Sequence, residues 1–106
     1  MTDAIVDMVQ RIVRDFDPLR VLPFGPHARG DAGPDSDVDL LVLLPHIDDK
    51  RRTRVAIRRC LADAPVAKDV VVTTPEEIAE RGDLVGTILR PALREGVVLY
   101  EREPAL

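Results

Sequence analysis

The chain is poor in aromatics and in cysteine and has no long apolar run, and each scarcity narrows what it can be. Trp is absent, and Phe16, Phe24 and Tyr100 are the only aromatic residues. A core must therefore be built from Val, Leu, Ile and Ala. There is also little on which successive bases could stack, which argues against a binder of single-stranded nucleic acid. The single cysteine, Cys60, excludes an internal disulfide and fits a reducing cytoplasm. No stretch approaches the ~18 apolar residues of a membrane span, and the N-terminus carries acids in place of a signal-type apolar region. A formal net charge of -4 gives no overall attraction for nucleic acid, so no direct nucleic-acid contact is expected.

What is present is an ordinary globular balance, 45% hydrophobic and 32% charged over 106 residues, which sets a single domain over 1–106. A basic run from Lys50 to Arg54, with Arg58 and Arg59 beyond it, goes against the net charge. It reads either as the solvated face of a helix or as a docking surface for an acidic partner or for phosphates. Apolar patches on so small a domain are compatible with a homodimer or a complex with a partner.

Spacings of three and four among Ile5, Met8, Val9, Ile12, Val13 and Phe16 predict an amphipathic helix from Asp3 to Phe16. Thr2 or Asp3 caps it and Pro18 stops it. Arg20 to Phe24 reads as a short strand, with Pro23 pushing it toward a sheet edge or toward its final residues. Gly25 to Asp35, with Gly30, Gly33 and Pro34 as turn markers, is a loop with room for one helical turn around His27 to Gly30. Asp37 to Leu44 is the most apolar strand, central in its sheet and ended by Pro45. A second helix covers about Asp48 to Ala64, with Ile57, Cys60, Leu61 and Ala64 facing inward, and Val66 to Val72 is a third strand. Thr74-Pro75-Glu76-Glu77 is a helix start; the helical region to about Leu93 breaks near Gly82 or Pro91, and Val97 to Tyr100 makes a last strand. The fold class is α/β of the α+β type: a small mixed sheet of about four strands backed by helices on one side.

Strand periodicity puts Asp37 and Asp39 on one face and Val38, Leu40 and Val42 on the other. Asp69 interrupts an apolar run where a carboxylate is costly to bury unless paired or bound to a cation. If its strand lies beside that of Asp37, three carboxylates converge at one end of the sheet. Such oxygen ligands suit magnesium, which takes substrate phosphates as further ligands, and two ions could activate an attacking hydroxyl and stabilise a departing pyrophosphate. An Asp-x-Asp at a strand start is also common as a plain turn or cap. The preceding loop tips the reading toward chemistry, because Gly25 permits close approach of backbone to phosphate and Arg29 offers a planar charged fork.

Phe24-Gly25-Pro26-His27-Ala28-Arg29-Gly30 followed by Ser36-Asp37-Val38-Asp39-Leu40-Leu41-Val42 resembles the minimal nucleotidyltransferase (MNT) family of the DNA polymerase beta-like superfamily. That family carries Gly-Ser, ten residues, then Asp-x-Asp, with Ala-Arg-Gly in the loop. The resemblance extends to Asp69, at the family's third carboxylate, and to Arg94-Glu95-Gly96-Val97-Val98-Leu99-Tyr100-Glu101. It implies a nucleotidyltransferase fold and an antitoxin paired with a HEPN-domain toxin, to which it transfers AMP from MgATP onto a tyrosine. By the same resemblance Asp37, Asp39 and Asp69 are metal-binding and catalytic, while Gly25, Pro26, Arg29, Gly30 and Ser36 bind the nucleotide. The pattern is broken at Pro26, which replaces serine and has neither hydroxyl nor backbone N–H. That departure supports an alternative, a catalytically impaired antitoxin that neutralises its partner by occlusion. His27 could touch phosphate or an acceptor but reads more readily as an exposed loop histidine, His46 reads as exposed, Cys60 as core and Tyr100 as a packed edge residue.

Overall fold

The computed structural model describes residues 3–33, 36–82, 84 and 86–102. The expected Thr2 cap and the Pro34 turn marker lie outside these. Helix α1, Asp3–Phe16, buries Ile5, Met8, Val9 and Ile12, as its spacing requires. It ends where Asp17 takes a positive φ of 47° and Pro18 follows. Strand β1, Arg20–Phe24, leads through Gly25 into a single turn of helix, α2, Pro26–Arg29, which Gly30 closes in the left-handed conformation. Strand β2, Val38–Leu43, starts one residue after Asp37.

A four-stranded sheet runs in the order β3-β2-β1-β4. β1 and β2 are antiparallel, whereas β2 and β3, Lys68–Thr73, are parallel and need a crossover. Helix α3, Lys50–Cys60, supplies it. It is shorter than expected at both ends: the Asp49 side chain caps its start, accepting from the Arg52 N–H at 3.1 Å, and it closes at Leu61. Thr74 accepts from the Glu77 N–H at 3.2 Å and, with Pro75 at the first position, starts α4, Pro75–Arg81. The helical region breaks at Gly82, not at Pro91. Pro91 sits in the first turn of α5, Leu89–Glu95, where its missing N–H has no helical partner to lose.

β1 lies inside the sheet despite Pro23. The segment Val97 to Leu99 runs beside it, with the Val97 N–H donating to Pro23 O and the Leu99 N–H to Val21 O. The ladder with β4, Tyr100–Glu101, pairs only Arg20 and Val21, so Pro23 stays clear of it. The last strand is accordingly later and shorter than Val97 to Tyr100.

Helices cover both sheet faces, where one was expected. Val38, Leu40, Val42, Val70 and Val72 pack against α1 and against Ile57 and Leu61. On the other face Leu22, Phe24 and Leu41 pack against Leu89 and Ala92 of α5. The apolar residues of β1 and β2 alternate between the two cores, so neither face can be left to water. No described helix is long and apolar enough to cross a membrane.

Candidate functional site

β2 and β3 begin together, and their register sets Asp39 directly beside Asp69. Asp39 is also the register partner of Phe24, the last residue of β1. Gly25, one residue further, has φ 74°, and a Cβ there would lie 2.4 Å from Asp39 Oδ2. Glycine is needed at this position twice over, for its backbone and for its missing side chain. Asp37 is exposed just before β2, and Asp39 is half-buried. Burial pushes the Asp39 carboxyl above its ordinary value, and the charges of Asp69 and Asp37 push it further, with His27 and Arg29 pulling the other way. This corner of the sheet is a crowded anionic site with all-oxygen donors, a donor set that fits a hard divalent cation. Among the described residues no three metal-ligating side chains converge in reach of one ion. Asp69 Oδ1 instead accepts from the Val70 N–H at 3.0 Å.

The loop is built to hold its shape. Pro26 occupies the first position of α2, where no helical hydrogen bond is lost, and its carbonyl accepts from the Gly30 and Asp31 N–H groups at 3.0 and 3.1 Å. The Gly33 N–H donates to Ser36 Oγ at 2.9 Å, so the Ser36 hydroxyl oxygen serves the loop backbone. Arg29 is already partnered: Nη1 donates to Glu95 at 3.0 Å and Nε to Asp31 at 3.3 Å. These hydrogen bonds, Asp31 first, raise its already high pKa. Two of the five guanidinium donors are thus used, leaving three for a ligand.

Two residues gain a place that the sequence did not announce. His27 is half-buried, not merely exposed, and lies 3.1 Å from Ser36 O through Nε2. A carbonyl only accepts, so Nε2 carries the proton, and the bond ties α2 to the residue before Asp37. Glu95 fixes Arg29 from the far end of the chain. Neither contact leaves a local signal, because each joins segments that only the fold brings together. His46, by contrast, is exposed and meets Asp48 at 2.6 Å, remote from the carboxylates in the fold. Cys60 is part-buried beside the core, its Sγ 3.2 Å from Asp15.

A family model for the nucleotidyltransferase domain matches residues 6–95. Among solved structures, a nucleotidyltransferase from Sulfolobus solfataricus aligns with a TM-score of 0.66 at 22% identity, covering 93% of this chain and 78% of that one. A toxin-antitoxin structure with AMP-PNP gives 0.67 at 21% identity, covering 96% and 76%. A mutant of the toxin-antitoxin MntA-HpeT gives 0.61 at 20% identity, covering 92% and 73%. At such identities the likeness establishes the fold. No curated protein sequence matches the chain.

Proposed function

Because the chain belongs to the nucleotidyltransferase-domain family, as its resemblance to the minimal nucleotidyltransferases of the polymerase beta-like superfamily led one to expect, we propose that it transfers AMP from ATP to a protein hydroxyl. The acceptor is a tyrosine of a partner HEPN toxin, which the chain silences in the cytoplasm as its antitoxin. The observation that carries this reading is the pairing of Asp39 with Asp69 beside a glycine that leaves no gap. Toxin-antitoxin structures among the neighbours support a toxin as the partner.

In the reaction the tyrosine oxygen attacks the α-phosphorus of ATP. The new P–O bond forms as the bond to the bridging oxygen breaks, and pyrophosphate leaves with that electron pair. Asp37 and Asp39 would hold magnesium, with Asp69 completing the set once its carboxylate turns from the Val70 N–H, and Asp69 would accept the hydroxyl proton. Magnesium when bound neutralises phosphate charge and polarises the α-phosphate. The loop from Gly25 to Gly30 lies against the triphosphate, Arg29 lends its free donors to it, and Ser36 and His27 hold the loop in place.

Labelled ATP, magnesium and the partner protein, incubated with this chain, should transfer label to the partner. Asp37→Ala and Asp39→Ala should abolish the transfer; undiminished label in both variants would overturn the reading.

Pro26 favours a second reading, neutralisation by occlusion. Each donor to a charged phosphate is worth about 1.5 to 3 kcal/mol, roughly ten- to a hundredfold in rate. Since Pro26 already sits at a helical first position, serine fits there without rebuilding the turn. Catalysis predicts that Pro26→Ser speeds transfer, whereas occlusion predicts that a chain with both Asp37→Asn and Asp39→Asn still protects cells from the toxin.

A further inference from the structure

Helix α3 carries Lys50 and the arginines 51, 52, 54, 58 and 59, with no carboxylate among its residues. Lys50 is bonded to Glu77, but among the described residues none of the arginines is in an ion pair, and all of them are exposed. Arg58 and Arg59 sit in the last turn, where the helix dipole favours cations; Arg51 and Arg52 sit in the first, where it disfavours them. Arg51 with Arg54 and Arg54 with Arg58, three and four residues apart, set like charges side by side, which weakens a helix. Helix α4 shows the favourable arrangement, with Glu76 and Glu77 in its first turn. A face kept only for solubility would carry the sign of the whole chain, whose net charge is -4. The α3 arginines oppose both their own helix and that net charge.

Apolar surface lies between these cations. A hollow of about 490 Å³ is lined by Val55 and Ala56 together with Arg51, Arg52, Arg59 and the capping Asp49. Val55 is 38% exposed and Ala56 is exposed beside it. Arg52 and Arg59 stand seven residues apart, about 10 Å along the helix axis, with Val55 and Ala56 midway. On its inner side α3 sends Ile57 into the core that holds Leu40, Val42 and Val70. Asp39 and Asp69 each precede one of those residues in its strand and so point to the opposite face of the sheet. The hollow and the carboxylates are therefore on opposite sides, and filling one leaves the other open.

We propose that the outer face of α3 is a docking site for an acidic segment of a partner protein, one that sets carboxylates about two helical turns apart on either side of an apolar anchor. The anchor fills the hollow against Val55 and Ala56, and the planar forks of Arg52 and Arg59 take the carboxylates. The complementary charge speeds encounter and fixes the register of the segment. A nucleic acid would use the arginines alone, since Val55 and Ala56 give its bases no flat side chain to stack on. A second copy meeting through the same face would set arginine against arginine. The surface is independent of the transfer chemistry: a chain unable to transfer AMP retains it.

The test is fluorescence anisotropy with a labelled, end-blocked, alanine-based helical peptide that carries glutamates seven residues apart and leucine midway between them. Saturable binding is expected, weakened about tenfold or more by the double change Arg52→Glu and Arg59→Glu. The equal charge reversal Arg81→Glu and Arg94→Glu, at exposed positions on α4 and α5, should leave it largely intact. Replacing the peptide's leucine by alanine, which leaves the protein untouched, should weaken binding severalfold. Failure of the leucine peptide to bind overturns the proposal, as does equal binding of the two peptides, which would show attraction by charge alone. Binding should survive Asp37→Asn with Asp39→Asn; its loss there would place the peptide at the carboxylates and also overturn the proposal. Displacement of the peptide by a single-stranded RNA at lower concentration would reassign the surface to nucleic acid. A dimer in sedimentation that Arg52→Glu and Arg59→Glu dissolve would reassign it to a second copy.

Discussion

Gly25 and Gly30 frame the loop and carry similar positive φ angles, 74° and 83°, yet they answer to different constraints. A Cβ at Gly30 meets nothing within 4 Å, while one at Gly25 runs into the Asp39 carboxylate. Gly30→Ala should therefore cost only the left-handed backbone penalty, about 1–2 kcal/mol, and leave the position of Asp39 undisturbed. Gly25→Ala should cost more in urea unfolding and also displace Asp39, removing activity under conditions where the variant is still folded. Equal losses of stability and activity in the two variants would show that the Asp39 contact is unimportant. The need for glycine at 25 was legible in the sequence as a loop next to acids. Its second reason, the packing against Asp39, was not, because it depends on how β1 registers with β2.

At the scale of elements, Glu77 joins three of them. Its carboxylate accepts from Lys50 at the start of α3, at 2.6 and 2.7 Å, and from the Thr73 hydroxyl at the end of β3, at 2.7 Å. Burial alone would push the Glu77 carboxyl up, but these hydrogen bonds outweigh it and hold it below its ordinary value of 4.5. The folded state then keeps the ionised form more firmly than the unfolded chain does. Its contribution to stability is fully present above 4.5 and is lost as pH falls through the lower, folded value. Glu77→Gln should be less stable than the parent at pH 7, with the gap closing below pH 4.5, as read from urea midpoints along a pH series. A gap unchanged in acid would mean that the carboxylate charge plays no part. The Asp49 cap of α3 was not singled out in the sequence, whereas the start of α4 was plain there, since Thr74-Pro75 acts through neighbours a few residues away. Strand order and the second sheet face were less so. Nothing local in Leu89 or Ala92 says which side of the sheet they cover, and nothing local in Asp69 says that it stands opposite Asp39.

For the molecule as a whole, the candidate site is a local concentration of like charge in an otherwise well-packed α/β unit, and ligands that relieve it should stabilise the fold. MgATP at about 100 times its dissociation constant should add about 2.7 kcal/mol, read as a rise in melting temperature. A chain carrying Asp37→Asn and Asp39→Asn should show no such rise; an equal rise would place the nucleotide elsewhere. The strand order has a further consequence, in the timing of synthesis. Synthesis runs from the N-terminus, and the register that sets Asp39 beside Asp69 involves nothing later than Thr73. The grip of Glu95 on Arg29 must wait for α5, and β4 then joins at the opposite edge. A nascent chain thus holds every residue of the Asp39–Asp69 pairing before it holds Glu95, the partner that clamps Arg29.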